Sequence, residues 1–182
     1  GGRSMRYFFI TQDVSLPCAI SYRDFDITGG SHLFTKEDAG RLNDTVSLYL
    51  SGNGKETAWD FLQRPVTMFS QRFEDIIEAY EPGVIFKDVV LIHKENALQY
   101  RYVQTLMDQL DAAADQTEYY QNGMVKRMVL SQKKIGRHHL FVLSGKHRKD
   151  PVVSLALAES LLRRKPVGLC FEEVEVEDSW ER

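Results

Sequence analysis

The sequence predicts an α+β fold: an antiparallel-rich mixed sheet with two or more packing helices and an internal strand-helix-strand repeat. Three observations carry this expectation. Short apolar or alternating runs recur along the chain, as strands do; a strand, capped helix, Pro/Gly turn and strand are written twice, at 66–91 and at 152–176; and the segments between the copies read as strands and turns rather than regular βαβ winding. At 182 residues, with 43% hydrophobic and 27% charged residues, the chain suits one domain with a sizeable core. Gly1 to Ser4 read as a cloning scar before Met5. Residues 5–182 then form a single domain, with an N-terminal part at 5–65 and a repeat-containing core at 66–178.

Taken in order, Tyr7 to Thr11 is apolar enough for a strand, and Ala19 to Ile27 alternates loosely before Gly29-Gly30, so the two are expected to pair. Thr35 with Asp38 three residues on forms a capping-box start for a short helix. Val46 to Leu50 reads as a strand, and Glu56 to Leu62 as a helical turn or two, stopped at Arg64-Pro65. In the first copy Val66 to Phe69 is a strand, Ser70 an N-cap, and Phe73, Ile76, Ile77 and Tyr80 one buried helix face. Pro82-Gly83 ends the helix and Val84 to Ile92 is a strand. Leu98 to Leu106 reads as a strand followed by a short helix or turn reaching Ala114. Asn122-Gly123 marks a turn, and Met124 to Leu130 and His139 to Leu143 are strands joined by a basic loop containing Gly136. The second copy repeats the plan with Val152-Val153, Ser154 as cap, Ala158, Leu161 and Leu162 on the helix, Pro166 and Gly168 at the turn, and Leu169 to Val176 as strand.

The copies slip by one residue: Ser70 and Ser154 are 84 apart, Phe86 and Phe171 are 85, so the second helix or its exit is longer. Both strands carry F-x-x-V, which breaks the two-residue period of a half-buried strand and predicts a β-bulge at Glu172-Glu173. Every repeated residue caps, packs or turns. The repeat is scaffold and carries no nucleophile, base or metal ligand in both copies.

Charge is close to balanced, at −3, but comes in blocks. Between Tyr119 and Lys149 there is no acid, whereas Lys126, Arg127, Lys133, Lys134, Arg137, Lys146, Arg148 and Lys149 are basic. Acidic blocks flank it: Asp108, Asp111, Asp115 and Glu118 before, Glu172, Glu173, Glu175, Glu177, Asp178 and Glu181 after. One reading of the basic block is an anion- or nucleic-acid-binding face. The other is a set of solvated strand sides that pair with the acidic segments of the same protein. A sequence pI near 6.0 favours the second, so nucleic acid is not the expected partner.

Familiar chemistry fails on inspection. Gly54-Lys55 is followed by Glu56 and preceded at the first glycine position by Tyr49, so the stretch at 51–60 is not a phosphate-cradling loop. His138, His139 and His147 have no carboxylate nearby in sequence to complete a metal set, and Cys170 lies in an apolar strand as a buried, inert thiol. Asp24, Asp26 and His32 would be the residues of an enzyme of unfamiliar type. The reading adopted is no catalytic residue, no metal and no cofactor. Cys18 and Cys170 are far apart with no CxxC, and the apolar run at Tyr7 to Ile10 is too short to export or span, so a cytoplasmic protein without a membrane partner is expected.

The segments "MVLSQKKIGRHHLFVLSG", "VVSLALAESLL" and "PVGLCFEEVE" resemble the C-terminal signature of immunity-protein family eleven of bacterial polymorphic toxin systems. Lys134-Ile135-Gly136, His139, Phe141, and then Gly168, Leu169, Phe171 and Val174 match it, over roughly residues 66–176. The resemblance implies a small cytoplasmic protein that binds and neutralises a cognate toxin domain encoded by a neighbouring gene. Because many such toxins act on nucleic acids and should carry a basic cleft, Asp108, Asp111, Asp115, Glu118, Glu172, Glu173, Glu175, Glu177 and Asp178, with Trp180 as an anchor, are the expected toxin-facing residues.

Overall fold

The computed structural model describes residues 5–15, 21–22, 33–51 and 58–177. Its elements run β1 (Tyr7–Gln12), β2 (Ser21–Tyr22), a 3-10 turn (Lys36–Arg41), β3 (Thr45–Ser51), β4 (Phe61–Leu62), β5 (Met68–Ser70), a 3-10 turn (Gln71–Phe73) leading into α1 (Glu74–Tyr80), β6 (Ile85–His93) and β7 (Leu98–Leu106). There follow β8 (Gln109–Leu110), β9 (Glu118–Tyr119), β10 (Val125–Arg127), β11 (Val129–Leu130), α2 (Gln132–Ile135), β12 (Leu140–Leu143), β13 (Val152–Ser154), α3 (Leu155–Leu162) and β14 (Leu169–Val176). The fold is mixed α+β, with two six-stranded sheets, ordered β2-β3-β6-β7-β5-β4 and β11-β14-β1-β13-β12-β8, and a separate β9-β10 hairpin.

The two sheets are copies of one another. In the first, β5 and β6 flank β7, both antiparallel to it; in the second, β13 and β14 flank β1 in the same way. Outside them, β3 is parallel to β6 as β11 is to β14, and β4 is antiparallel to β5 as β12 is to β13. Register agrees residue by residue. Tyr102 lies between Ser70 and Val89, and Tyr7 between Ser154 and Val174. Both tyrosines are buried and both follow an arginine, Arg101 and Arg6. The strand that closes the second copy is therefore the N-terminal strand of the chain, so that copy is circularly permuted relative to the first.

The duplication extends to the core. Phe73 and Ile77 of the first helix, and Leu157 and Leu161 of the second, are buried in one cluster with Phe61, Phe69, Val103, Ile10, Leu140 and Val153 from both sheets. Each such side chain contributes about 1.5–3 kcal/mol by leaving water. The far faces form two further clusters at matching positions: Tyr7, Phe141, Val152 and Val174 on one sheet, Tyr102, Leu62, Met68 and Val89 on the other. The extra residue of the second copy falls in the exit from α3, where Lys165 takes a φ of 50°. Polar clasps join the copies. Asp60 accepts from the amide of Val167 at 2.7 Å and from Ser70 and Arg72, while the buried Glu81 meets Nδ1 of His138 at 3.0 Å and the amide of His139 at 3.3 Å.

Several expectations change. The bulge at Glu172-Glu173 is absent: β14 runs opposite β1 in unbroken register, from Leu169 at Gln12 to Val174 at Tyr7. F-x-x-V instead reflects two-sided burial, Phe171 facing the helical cluster beside Ile10 and Val174 the opposite one beside Tyr7. Ser154 caps α3 by accepting from the amide of Leu157, whereas Ser70 stands at the N-cap position of the 3-10 turn but gives its hydroxyl to Asp60 and makes no side-chain cap bond. Residues 61–62 form a strand rather than the end of a helix, because Phe61 and Leu62 face different clusters across one strand. Past β7 the chain enters β8, parallel to β12, not a helix. Ser21 and Tyr22 pair with β3 instead of β1, whose two edges are filled by β13 and β14. The strand expected over Met124 to Leu130 breaks at Met128, and the basic loop after it holds α2, capped by Ser131 and closed by Gly136 at φ 63°.

Candidate functional site

The place where the copies diverge builds a cleft. In the first copy β3 runs beside β6 for five pairs, from Thr45 opposite Asp88 to Tyr49 opposite Ile92. In the second, β11 gives β14 only two, Val129 opposite Glu175 and Leu130 opposite Val176. The residues that would continue that strand, Arg127 and Met128, turn away to form the β9-β10 hairpin. Among the described residues, 169–174 carry no strand on the side away from β1; the divergence accounts for Glu173 and Val174, since β3 begins opposite Asp88 and leaves the earlier positions of the first copy unpaired as well.

Between hairpin and sheet lies a cleft of about 600 Å³, lined by Phe9, Met124, Val125, Met128 and Val174, with Lys126, Lys146 and Arg148 and Glu172, Glu173 and Glu175 about its rim. The hairpin turns through Asn122-Gly123, where Gly123 takes a φ of 85° and Asn122 accepts from the amide of Met124. Its base is pinned by Thr117, whose hydroxyl donates to the carbonyl of Val129 at 2.9 Å. It carries large apolar side chains in water: Tyr119, Tyr120 and Met124 are 48%, 54% and 64% exposed. Aromatic and methionine side chains held out on a braced turn are the composition of binding anchors. The Tyr119 hydroxyl lies 2.8 Å from Nε2 of His147, whose Nδ1 meets the carbonyl of Ser144; the carbonyl needs a donor, so Nδ1 carries the proton and Nε2 accepts from the tyrosine.

The acidic and basic blocks neutralise one another here. Glu175 binds Arg127, with 2.7 Å to its Nε, and Glu118 lies 3.6 Å from the same guanidinium. Glu173 binds Arg6 at 2.6 Å; Glu172 binds Arg148, which also reaches Asp150 and stacks 3.9 Å from the Phe9 ring centre. Hydrogen bonds from Arg6 and Arg127 hold the carboxyls of Glu173 and Glu175 below the usual range. Asp108 is partly buried on Lys36 at 2.8 Å, fastening the 3-10 turn. Asp111 and Asp115 are exposed, with no partner among the described residues, and Glu177 lends its amide to Leu130. Asp178 and Trp180 lie outside the described residues.

Of the basic residues, Lys134 is bound to the carbonyl of Ala113, and Lys149 to those of Leu143 and Gly145. Lys126, Lys133, Arg137 and Lys146 are exposed and have no partner among the described residues. Among the described residues the rim of the cleft is left with two cations without a partner, Lys126 and Lys146. The sequence pointed to the acidic strand as the partner face and did not single out Tyr119, Tyr120 or Met124. The signal was present in "EYYQNGM", two aromatics beside a hairpin turn.

Among the described residues the three histidines do not come together. His138 is held by Glu81, His139 by Ser154 at 2.7 Å, and His147 by Tyr119, so the three imidazoles serve separate contacts. Cys170 is exposed rather than buried, because its position on β14 faces outward at the sheet edge. Its thiol is nonetheless pushed above its ordinary pKa by desolvation and by Asp13. Asp24, Asp26, His32 and residues 52–57 of the rejected phosphate loop lie outside the described residues. Among the described residues no helix is long and apolar enough to cross a membrane.

A family model described as an immunity protein family (Imm11) matches residues 17–176. The match starts well before the segment in which the resemblance is visible by eye. No curated protein matches the chain.

Proposed function

The chain belongs to the immunity protein family Imm11, and from that membership we propose that it protects its producer by binding a cognate toxin domain in the cytoplasm and blocking it without chemistry of its own. The observation that supports a particular surface is the β9-β10 hairpin with its exposed Tyr119, Tyr120 and Met124 over the 600 Å³ cleft. Burial of two tyrosines and a methionine against a complementary pocket supplies central anchors, and the Arg–Glu pairs around them form a polar rim that fixes orientation more than affinity. The acidic residues of β14 are in this reading a rim, not a bait for a basic toxin cleft, since each is held by an arginine of the same chain.

The test is calorimetric titration, at 150 mM salt, of this protein with the C-terminal domain of the large secreted protein encoded beside its gene. A dissociation constant on the order of nanomolar, about −12 kcal/mol, and rescue of cells expressing that domain are expected. Replacing Tyr120 and Met124 together by Ala should weaken binding by roughly 100-fold or more without lowering the melting temperature, whereas Tyr119, bonded to His147, also braces the hairpin. Absence of binding, with salt-dependent binding to generic DNA instead, would move the function to the exposed cations Lys126, Lys133, Arg137 and Lys146.

A further inference from the structure

Resting on the toxin-binding reading, we propose that the toxin domain inserts an aromatic side chain into the cleft over the sheet face, stacked on the Arg148 guanidinium, with a carboxylate beside it between Lys126 and Lys146. The setting of Arg148 carries this. Two of its nitrogens donate to Glu172, at 3.2 and 3.0 Å, and its Nε donates to Asp150 at 2.7 Å, so the plane of the group is fixed. One side of that plane lies on Phe9, 3.9 Å from the ring centre. Arg148 nonetheless lines the cleft with 39% of its side chain exposed, and the side not taken by Phe9 is the one a ligand can reach. A guanidinium held flat in this way is a stacking platform for a second ring, because the ion pairs have already removed the freedom that binding would otherwise remove.

The walls select the rest of the occupant. Phe9 and Val174 are themselves buried, so the apolar area on offer is that of Met124, Val125 and Met128 along the hairpin. Methionine sulfurs pack well at ring edges, and their unbranched side chains adapt to the ring that enters. The three glutamates of the rim are each held by an arginine of the same chain, whereas Lys126 and Lys146 have no partner among the described residues. A carboxylate next to the toxin's ring is therefore matched and a cation is not. His147 accepts from Tyr119 at 2.8 Å, so the loop that carries Lys146 is tied to the hairpin that carries Lys126. The exposed Tyr120, whose amide donates to the Met124 carbonyl at 2.8 Å, extends the apolar surface beyond the cleft lining, which fits a protein partner better than a small molecule. The inserted segment is aromatic and acidic, the reverse of the charge that the β14 glutamates alone would suggest.

Methionine-methyl NMR of the full-length protein, free and saturated with the neighbouring C-terminal domain, tests the inference. The methyls of Met124 and Met128 should move upfield in the complex as a ring enters, while those of Met107 and Met68, buried in the other clusters, stay in place. Arg148→Lys keeps the charge but loses the flat face, and should weaken binding about fivefold or more. Lys126→Glu combined with Lys146→Glu should weaken it on the order of tenfold or more, mainly at low salt. Tight binding with both methyls unmoved overturns the insertion, and tight binding insensitive to the lysine reversal overturns the carboxylate; either leaves the toxin reading standing. An upfield shift already present in the free protein, and lost on dilution or on removal of residues 178–182, assigns the cleft to a second copy or to the chain's own C-terminus and also overturns it. No binding at all removes the toxin reading and this inference together.

Discussion

Replacing Gly168 by Ala should damage the junction between the two copies more than any other glycine substitution among those described. Gly168 has a φ of 82°, in the left-handed region, where an L side chain costs about 1–2 kcal/mol. An added Cβ would also lie 2.1 Å from Cγ, 2.3 Å from Cδ1 and 2.5 Å from Cβ of Trp59, contacts no real structure tolerates. Trp59 is buried, its carbonyl accepts from the Tyr102 hydroxyl at 2.6 Å, and the next residue, Asp60, holds the amide of Val167, so the ring has no free direction of retreat. Forced displacement in a packed site costs typically 1–3 kcal/mol more, for a total of about 2–5 kcal/mol. For a chain of this size that lowers the melting temperature on the order of 10 °C. Urea unfolding followed by fluorescence and far-UV dichroism measures it. Gly123→Ala is the control: φ is 85° but nothing lies within 4 Å, so only the backbone part, about 1–2 kcal/mol, is expected. In a Trp59→Ala background the Gly168 penalty should shrink but stay above the control value, because the Cβ of residue 59, 2.5 Å from the added methyl, remains. Equal losses for Gly168→Ala and Gly123→Ala would refute the claim that the turn is locked by Trp59.

The two serines of the repeat should separate: Ser154→Ala loses a helix cap and a buried bond to His139, about 1–2 kcal/mol in denaturant midpoint, whereas helix content should be unaffected by Ser70→Ala, whose hydroxyl serves Asp60. Arg72→Met leaves the nearly buried Asp60 short of two donors and should cost about 2 kcal/mol, with most of the loss absent when Asp60 is already Asn. Cys170 should alkylate with iodoacetamide at pH 7.5 more slowly than a free thiol, and faster in Asp13→Asn, since Asp13 helps keep it protonated. The carboxyls of Glu173 and Glu175 are depressed in the folded state, so their pairing stabilises above the ordinary carboxylate range and is lost as pH falls through the lowered folded values. Proton uptake at these two sites, followed by NMR, should move to higher pH in Arg6→Gln and Arg127→Gln respectively, and in high salt.

Local signals in this chain were strong enough to read directly. The capping box at Thr35 and Asp38, the cap at Ser154, the helix face of Phe73 and Ile77 and the turn at Asn122-Gly123 each depend on neighbours within a few residues. The alternating charge blocks likewise pointed to self-neutralisation, which Arg6, Arg127 and Arg148 carry out on Glu173, Glu175 and Glu172. The repeat was legible because its helix, turn and second strand are contiguous. Its closing strand was not, since Tyr7 and Tyr102 occupy the same position in two sheets but stand at opposite ends of their copies, and nothing in "RYFF" says which strands will flank it.

What the sequence determined, then, are the long strands, the two repeat helices and the family, because periodicity, capping and turn chemistry act over short range. What only the tertiary structure decided is pairing and exposure. F-x-x-V reads as a bulge in isolation and becomes a regular strand once both faces of its sheet are covered, and Ser70 reads as a cap until Asp60 arrives from another strand. The cleft exists for the same reason. Whether the chain before Val129 continues beside β14 or folds back on β9 is settled by the partners that Thr117, Arg127 and Tyr119 find across the fold, and such long-range contacts leave no period in the sequence.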